Sequence, residues 1–194
     1  MQAPALAFHD VACRRGDRVL FRGLSLKSEV GSAWQVTGPN GSGKTSLIRI
    51  AAGLLGPFSG SVEREGATAL LDERHALDPD RPLGEALRFW ARLDGSDRFA
   101  MAAETAGLTP LLPLPVRDLS TGQKKRAGIA RLLLGDAPVW LLDEPLNGLD
   151  ADWARRVEDL MRDHVAGGGI VLVASHQSLD RLAPNRIAIT DFAP

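Results

Sequence analysis

The chain of 194 residues has one cysteine, no tyrosine and few aromatic residues of any kind. A single cysteine, Cys13, excludes an intramolecular disulfide and a zinc site built from several cysteines, and its simplest interpretation is a small buried hydrophobic residue. No apolar run approaches the ~18 residues that span a bilayer. The N-terminus also lacks the basic and apolar segments of a secretory signal. We therefore expect any role at a membrane to be peripheral.

The chain also has no excess of positively charged residues. The chain has 23 Lys and Arg against 24 Asp and Glu, a formal net charge of -1. A strongly basic surface is the usual mark of proteins that bind nucleic acid, so we expect no nucleic-acid partner. The overall composition is that of an ordinary globular domain.

Helical and strand patterns alternate along the chain. Strands are predicted at residues 5–11, 19–28, 33–37, 139–142 and 170–174, with a further strand-bearing turn region at 60–69. Helices are predicted after the glycine-rich turn at 38–43 and at 83–93, 99–106, 122–134 and 152–165. Helices that alternate with fully apolar strands are typical of a parallel sheet covered on both faces.

A glycine-rich segment between a predicted strand and helix matches the pattern GxxxxGK[ST]. In this setting backbone N–H groups surround phosphates, and the helix N-terminus adds partial positive charge. Lys44 would contact the β- and γ-phosphates, and the Thr45 hydroxyl would bind Mg²⁺. The predicted nucleotide-binding residues here are Gly38, Pro39, Asn40, Gly41, Ser42, Gly43, Lys44, Thr45 and Ser46.

Two acidic residues, Asp143 and Glu144, end the apolar run that starts at Val139. At the carboxyl edge of a parallel sheet one acid can serve Mg²⁺ and the next can act on a water beside the γ-phosphate. We predict Asp143 as the metal partner and Glu144 as the catalytic base. His176 follows the last apolar strand and is predicted on the same edge, beside the γ-phosphate and the attacking water.

A second helix N-terminus, in the sequence Leu-Ser-Thr-Gly-Gln that ends at Gln123, also has the features of an anion site, with Ser120 as its N-cap. One nucleotide already has its phosphates held at residues 38–45. Either this helix is merely well capped, or it serves a different nucleotide.

The motifs GPNGSGKT, LSTGQ, LLDEP, LNGLD and SH, in this order and spacing, resemble those of the ATP-binding subunit of an ABC transporter. The resemblance covers nearly the whole chain. It implies an α/β P-loop NTPase fold of the ABC type, with a parallel-sheet core, an antiparallel β subdomain and a helical subdomain. The whole chain, 1–194, would form one ATPase domain, with the core and β subdomain in 1–71 and 118–194 and the helical subdomain in 72–117.

The resemblance also implies an ATP hydrolase that uses ATP and Mg²⁺ and works as a head-to-tail dimer. The signature residues of one copy, Ser120 and Gly122 among them, would close over the γ-phosphate held by Lys44 of the other, and the loop from Asn147 to Asp150 would cross the interface. Further partners would be integral membrane transporter subunits, with the chain at the cytoplasmic face of the membrane. The signature residues are Ser120, Thr121, Gly122 and Gln123.

Within this family the chain is most similar to the ATPase subunit of the cytochrome c maturation haem exporter. The similar stretches are residues 13–25, 85–90 and 175–179. The alternatives are the ATPase subunit of another small ABC transporter and an ABC module that does not transport, either regulatory or a soluble ATPase.

Three positions depart from the family pattern. Thr121 replaces the glycine most common there. Arg15 stands near the place of an aromatic residue that stacks on adenine, and a guanidinium can also stack on a base. Arg74 aligns with a glutamine that touches Mg²⁺ and couples the site to the membrane subunit. Arginine has no lone pair for a metal, so this arginine would favour a module that binds nucleotide without turnover.

Overall fold

The computed structural model describes residues 3–194, which form eight strands and five α-helices. The strands are β1 (Ala5–Arg15), β2 (Arg18–Ser28), β3 (Ala33–Thr37), β4 (Ser59–Glu65), β5 (Thr68–Leu71), β6 (Val139–Asp143), β7 (Ile170–Ala174) and β8 (Asn185–Ala188). The helices are α1 (Lys44–Ala51), α2 (Leu83–Leu93), α3 (Phe99–Thr105), α4 (Thr121–Leu134) and α5 (Ala151–Ala166). Three short 3₁₀ turns cover Thr109–Leu111, Val116–Asp118 and Ile189–Phe192.

Five strands form a parallel sheet in the order β5-β6-β7-β3-β8. Every residue of β6 and β7 is buried, because helices cover both faces of the sheet. Side chains of β7 alternate between these faces. Leu172 packs in the cluster that contains Ile48 of α1, and Val173 packs in the one that contains Ile129 of α4 and Met161 of α5.

Three strands form an antiparallel sheet in the order β2-β1-β4. Its apolar face, which includes Phe8 and Phe21, joins the cluster under α1. Strand β1 continues to Arg15, four residues beyond its predicted end. The extension is interrupted by bulges near Asp10, whose φ is 50° and whose N–H donates to Ser25 Oγ at 2.9 Å. These bulges break the period-2 pattern on which the prediction rested.

Helices α2 and α3 form a third layer with a core of its own. Leu83, Leu87 and Leu108 are fully buried there, together with Ala127 and Ala130 on one side of α4. Helix α4 thus packs against the sheet on one side and against this layer on the other. The parallel core, antiparallel sheet and helical layer confirm the predicted fold class.

The largest difference from the sequence analysis lies at residues 60–69. The predicted single strand region is two strands in different sheets, since β4 pairs with β1 and β5 pairs with β6. Between them Gly66 has a φ of 89°, which allows the chain to change sheets within two residues. Strand β8 was not predicted, because it has four residues, of which only Ile187 is buried, and these are too few to show a period. No helix in residues 3–194 is long and apolar enough to cross a membrane.

Truncation of Leu172, which is 0% exposed at the middle of β7, should be costly. We expect Leu172→Ala to lower the free energy of unfolding by about 2–5 kcal/mol, because it removes buried methyl groups and leaves a cavity. Leu54→Ala, at a side chain that is 67% exposed, is the matched control and should change it by less than about 0.5 kcal/mol. Urea denaturation measures both. Equal losses in the two variants would contradict the placement of β7 at the centre of the core.

Candidate nucleotide-binding site

The loop between β3 and α1 depends on glycines for its shape. Gly38 has a φ of 145°, and a Cβ there would lie 2.8 Å from Ile189 Cγ2. Gly43 caps α1 with a φ of 110°, and its carbonyl accepts the N–H of Leu47 at 2.9 Å. A side chain at either glycine would be strained and crowded. The loop therefore brings bare backbone to the N-terminus of α1, which is the arrangement that binds phosphate.

Lys44 is the first residue of α1, and its side chain folds back over this loop. Its Nζ donates to the carbonyl oxygens of Gly38 at 2.8 Å and Pro39 at 3.2 Å. The residue is buried overall. The ammonium is therefore held directly above the loop in which phosphates would sit.

A cavity of about 440 Å³ opens in front of the loop. Nine predicted site residues, from three segments at the carboxyl edge of the parallel sheet, line it: Asn40, Gly41, Gly43, Lys44, Thr45, Ser46, Asp143, Glu144 and His176. The rest of its lining is Leu20, Glu73 and Asn147.

Asp143, the last residue of β6, is buried, and its Oδ1 has no hydrogen-bond partner. Burial raises the pKa of its carboxyl group, and the negative charges of Glu144, Glu73 and Asp72 raise it further, against a hydrogen bond from Thr45 that lowers it. A buried carboxylate oxygen without a hydrogen-bond partner, close to other carboxylates, is suited to bind a cation. The described residues contain no group of three or more His, Cys, Asp or Glu that could hold a metal by themselves.

Glu144 and His176 form a pair at the mouth of the cavity. The Nδ1 atom of His176 lies 3.0 Å from Oε2 of Glu144, whose side chain is 17% exposed against 58% for the histidine. Glu144 has a φ of 47°, a left-handed conformation that costs a residue other than glycine about 1 kcal/mol. Its N–H donates to Ala174 O at 2.8 Å. This sharp turn after β6 directs the carboxylate toward the histidine.

The predicted signature residues lie in a different place. Ser120 and Gln123 form a capping box at the start of α4, and Asp150 caps α5 by accepting the N–H of Trp153 at 2.8 Å. Both ends border a second cavity, of about 320 Å³, lined by Ser120, Gly122, Gln123, Arg126, Gly148, Leu149, Asp150 and Trp153. It shares no lining residue with the first cavity. Within one chain the signature residues and the phosphate loop therefore do not meet.

Gly122 and Gly148 allow the two helix starts to approach each other. A Cβ on Gly122 would lie 2.9 Å from the carbonyl oxygen of Gly148, and a Cβ on Gly148 would lie 3.2 Å from the methyl group of Thr121. The threonine in place of the usual glycine therefore points toward the loop before α5 and away from the second cavity, which it does not line.

The structure differs from the sequence analysis at Arg74. This residue lines a cavity beside Trp90 and Arg131, on the other side of β5, and its backbone N–H donates to Asp72. The residue of this segment that lines the nucleotide cavity is Glu73. Of these two neighbouring residues, only Glu73 is therefore placed to act on a bound nucleotide.

Arg15 is exposed at the end of β1, where it pairs with Arg18, and it does not line the nucleotide cavity. Leu20 of β2 lines that cavity instead. Asn147, which was predicted only as part of the interface loop, also lines it, and its Oδ1 accepts a hydrogen bond from Gln177 at 3.0 Å. A half-buried apolar residue and a side-chain pair that is distant in sequence carry no local signal, so the sequence analysis missed both.

Comparisons with known proteins agree with this geometry. Residues 21–147 match the family described as ABC transporter. The chain is 54% identical over 194 residues to the cytochrome c biogenesis ATP-binding export protein CcmA of Novosphingobium aromaticivorans, with 100% of both chains covered.

Solved structures show the same fold. One is a putative ABC transporter ATP-binding protein from Pyrococcus furiosus, with a TM-score of 0.85, 22% identity, and 98% of this chain and 100% of that chain covered. Another is an ATP-binding cassette solved as a dimer in a post-hydrolysis state with ADP and Pi, with a TM-score of 0.79, 20% identity, and 89% and 88% covered. The predicted family is thus confirmed: the chain belongs to the ABC transporter family and, within it, to the cytochrome c biogenesis ATP-binding export proteins.

Proposed function

We propose that this chain is the ATP-hydrolysing subunit of an exporter that serves cytochrome c biogenesis, with haem as the cargo. The observation that carries the proposal is the convergence of Lys44, Thr45, Asp143, Glu144 and His176 in one cavity of a member of this family. The chain would work at the cytoplasmic face of the membrane as a peripheral protein bound to integral membrane subunits. It leaves cargo recognition to those subunits.

Binding of the triphosphate rests on the loop before α1. Backbone N–H groups of this loop and the N-terminus of α1 would hold the phosphates, and Lys44 would leave the carbonyl groups of Gly38 and Pro39 to reach the γ-phosphate. Exchange of two carbonyl partners for phosphate oxygens strengthens the hydrogen bonds of the ammonium, because the new acceptors are charged.

The residues present fit a magnesium ion. Asp143 has a buried oxygen without a partner, and Thr45 lies against it. Mg²⁺ in nucleotide sites uses one or two protein ligands, with phosphate and water oxygens for the rest, so two protein oxygens are enough. Asp143 and Thr45 would hold the ion, which would neutralise charge on the phosphates.

Hydrolysis would begin with a water placed between Glu144 and the γ-phosphate. Glu144 orients this water and takes its proton as the oxygen attacks phosphorus, and the bond to the β-phosphate breaks to give ADP and phosphate. His176 keeps the carboxylate in place through Nδ1. When Nδ1 donates to Glu144, only the protonated ring has a second N–H, on Nε2, with which to contact the γ-phosphate.

A second copy of the chain would complete the site. The signature residues Ser120 and Gly122 line an open cavity that has no phosphate group to bind within their own chain. A head-to-tail dimer brings this cavity over the γ-phosphate of the partner and resolves the surplus anion site. A dimer is also the state in which the ATP-binding cassette of similar fold was solved.

The alternative of a nucleotide-binding module without turnover rested on Arg74. That side chain lies outside the nucleotide cavity, whereas Glu144 and His176 are paired inside it. The geometry therefore favours hydrolysis.

Substitution of the proposed base should separate binding from hydrolysis. We expect Glu144→Gln to bind ATP but to lose at least about 100-fold in kcat, because the amide accepts no proton from water. The unhydrolysed ATP should then hold two copies together. Gel filtration with ATP and Mg²⁺ should show a dimer, and the same variant with ADP should elute as a monomer. Elution of the ATP-loaded variant as a monomer would contradict the composite site.

Arg15 provides a separate test of how adenine is held. If its guanidinium stacks on the base, Arg15→Ala should weaken the free energy of ATP binding by about 0.5–1 kcal/mol. The KM for ATP should then rise by about 2- to 5-fold with kcat unchanged. Arg18→Ala, at its exposed strand partner, is the control. An unchanged KM would contradict a contact between Arg15 and adenine and would agree with its position outside the cavity.

Membrane partners test the transport function directly. Purification of the tagged chain from native membranes should recover integral membrane proteins in stoichiometric amounts, and deletion of its gene should abolish c-type cytochromes while b-type cytochromes remain. Recovery of the chain without any membrane protein would contradict the role in export.

A further inference from the structure

A buried lysine that the hydrolysis mechanism does not use lies directly behind the proposed catalytic base. Lys125 is on the second turn of α4 and is 5% exposed. Its Nζ donates to the backbone carbonyl oxygen of Glu144 at 3.1 Å. Buried lysines are rare because removal of the charge from water is costly. The burial of Lys125 against Glu144 therefore indicates a specific role.

The surroundings of Lys125 are acidic. Burial lowers the pKa of its ammonium group, and four carboxylates act in the opposite direction, namely those of Glu73, Asp143, Glu144 and Asp72. Three of these carboxylates line the nucleotide cavity. Three other basic groups are near: His75 and Arg131 lie on the side of α4 that faces β5, and Lys124 donates to Arg117 O. Lys125 is thus the cation beneath the acidic cluster, while Lys44 lies above it over the phosphate loop.

Backbone contacts fix both peptide groups of Glu144. Its N–H donates to Ala174 O on β7, and its carbonyl accepts from Lys125 Nζ at 3.1 Å and from the N–H of Asn147, within the same turn, at 3.3 Å. Between these contacts the residue takes the left-handed conformation with a φ of 47°. Such a conformation persists only when its surroundings enforce it. Without the lysine only the longer hydrogen bond within the turn would hold this carbonyl, so the peptide after Glu144 could rotate and the direction of the carboxylate would change.

We propose that Lys125 is a positioning residue for ATP hydrolysis, which holds the backbone of Glu144 in the conformation that directs its carboxylate to the attacking water. This inference rests on the proposed role of Glu144 as the base. Lys125 itself touches neither ATP nor water in this arrangement. Because α4 begins at the signature residues, the helix that would close over the nucleotide of the partner also fixes the base of its own site.

A methionine at this position tests the proposal, because it keeps the length and apolar packing of the stem but cannot donate a hydrogen bond. We expect Lys125→Met to lower kcat by about 10- to 100-fold, since misplacement of a catalytic group by about 1 Å costs this much. The KM for ATP and the affinity for ADP should stay within about 2-fold of the wild type, because the phosphate loop is untouched. Lys125→Arg, which keeps the charge and the donor, should recover most of the activity.

Lys27→Met is the matched control, since it makes the same chemical change at an exposed position of β2. Its kcat should remain that of the wild type. A merely structural role of Lys125 would lower the melting temperature, the ADP affinity and kcat together, and the arginine variant would not rescue them selectively. If Lys125→Met does not fold, Lys125→Gln retains a shorter donor without charge and should lose at least about 5-fold in kcat at unchanged KM.

The same assay separates this inference from the proposed function. A wild-type chain that fails to hydrolyse ATP, or a Glu144→Gln variant as active as wild type, would overturn the role of Glu144. The role of Lys125 alone would be overturned if the wild type is active, Glu144→Gln is inactive and Lys125→Met keeps the wild-type kcat.

Discussion

Strand β7 lies between β6 and β3, and its parallel hydrogen bonds to both align their carboxyl ends. Asp143 stands opposite Ala174, and Ala174 stands opposite Val36. The segments that follow these three strands are the phosphate loop after β3, Glu144 after β6 and His176 after β7. A shift of one residue in either pairing would turn Asp143 from one face of the sheet to the other. The site therefore depends on the register of three buried strands more than on any single contact at the surface.

Charge in the site is arranged against the ordinary preferences of buried groups. Asp143 is buried with a free oxygen, and burial raises its pKa. Lys125 is buried with one carbonyl partner, and burial lowers its pKa. Each group is costly alone, but with the triphosphate and the cation of the proposed mechanism they would form a set of alternating charges. A chain with a net charge of -1 can therefore bind a highly charged ligand, because backbone N–H groups and a few buried side chains supply the local field.

The sequence predicted those parts of the site whose chemistry is local. The glycines before Lys44 and the acids after the apolar run at 139–142 could be interpreted from their neighbours in sequence alone. The structure brings them into one cavity. The alternation of helices and apolar strands likewise predicted the parallel sheet. Strand β8 and the change of sheet near Gly66 escaped prediction, because short strands take their structure from their neighbours. Glu73 and Lys125 escaped for a related reason, since each matters through residues far away in the chain.

If each active site is built from two copies of the chain, as proposed, mixtures of two inactive variants should regain activity. Lys44→Ala removes the phosphate-loop lysine, and Ser120→Arg blocks the signature cavity, so each variant alone should be inactive. When the two are mixed in equal amounts, half of the dimers contain one copy of each variant, and these dimers have one intact site out of two. We expect the ATPase activity of the mixture to return to about a quarter of the wild-type value in a symmetric dimer. A mixture no more active than the separate variants would contradict it, as would a Ser120→Arg variant of wild-type activity.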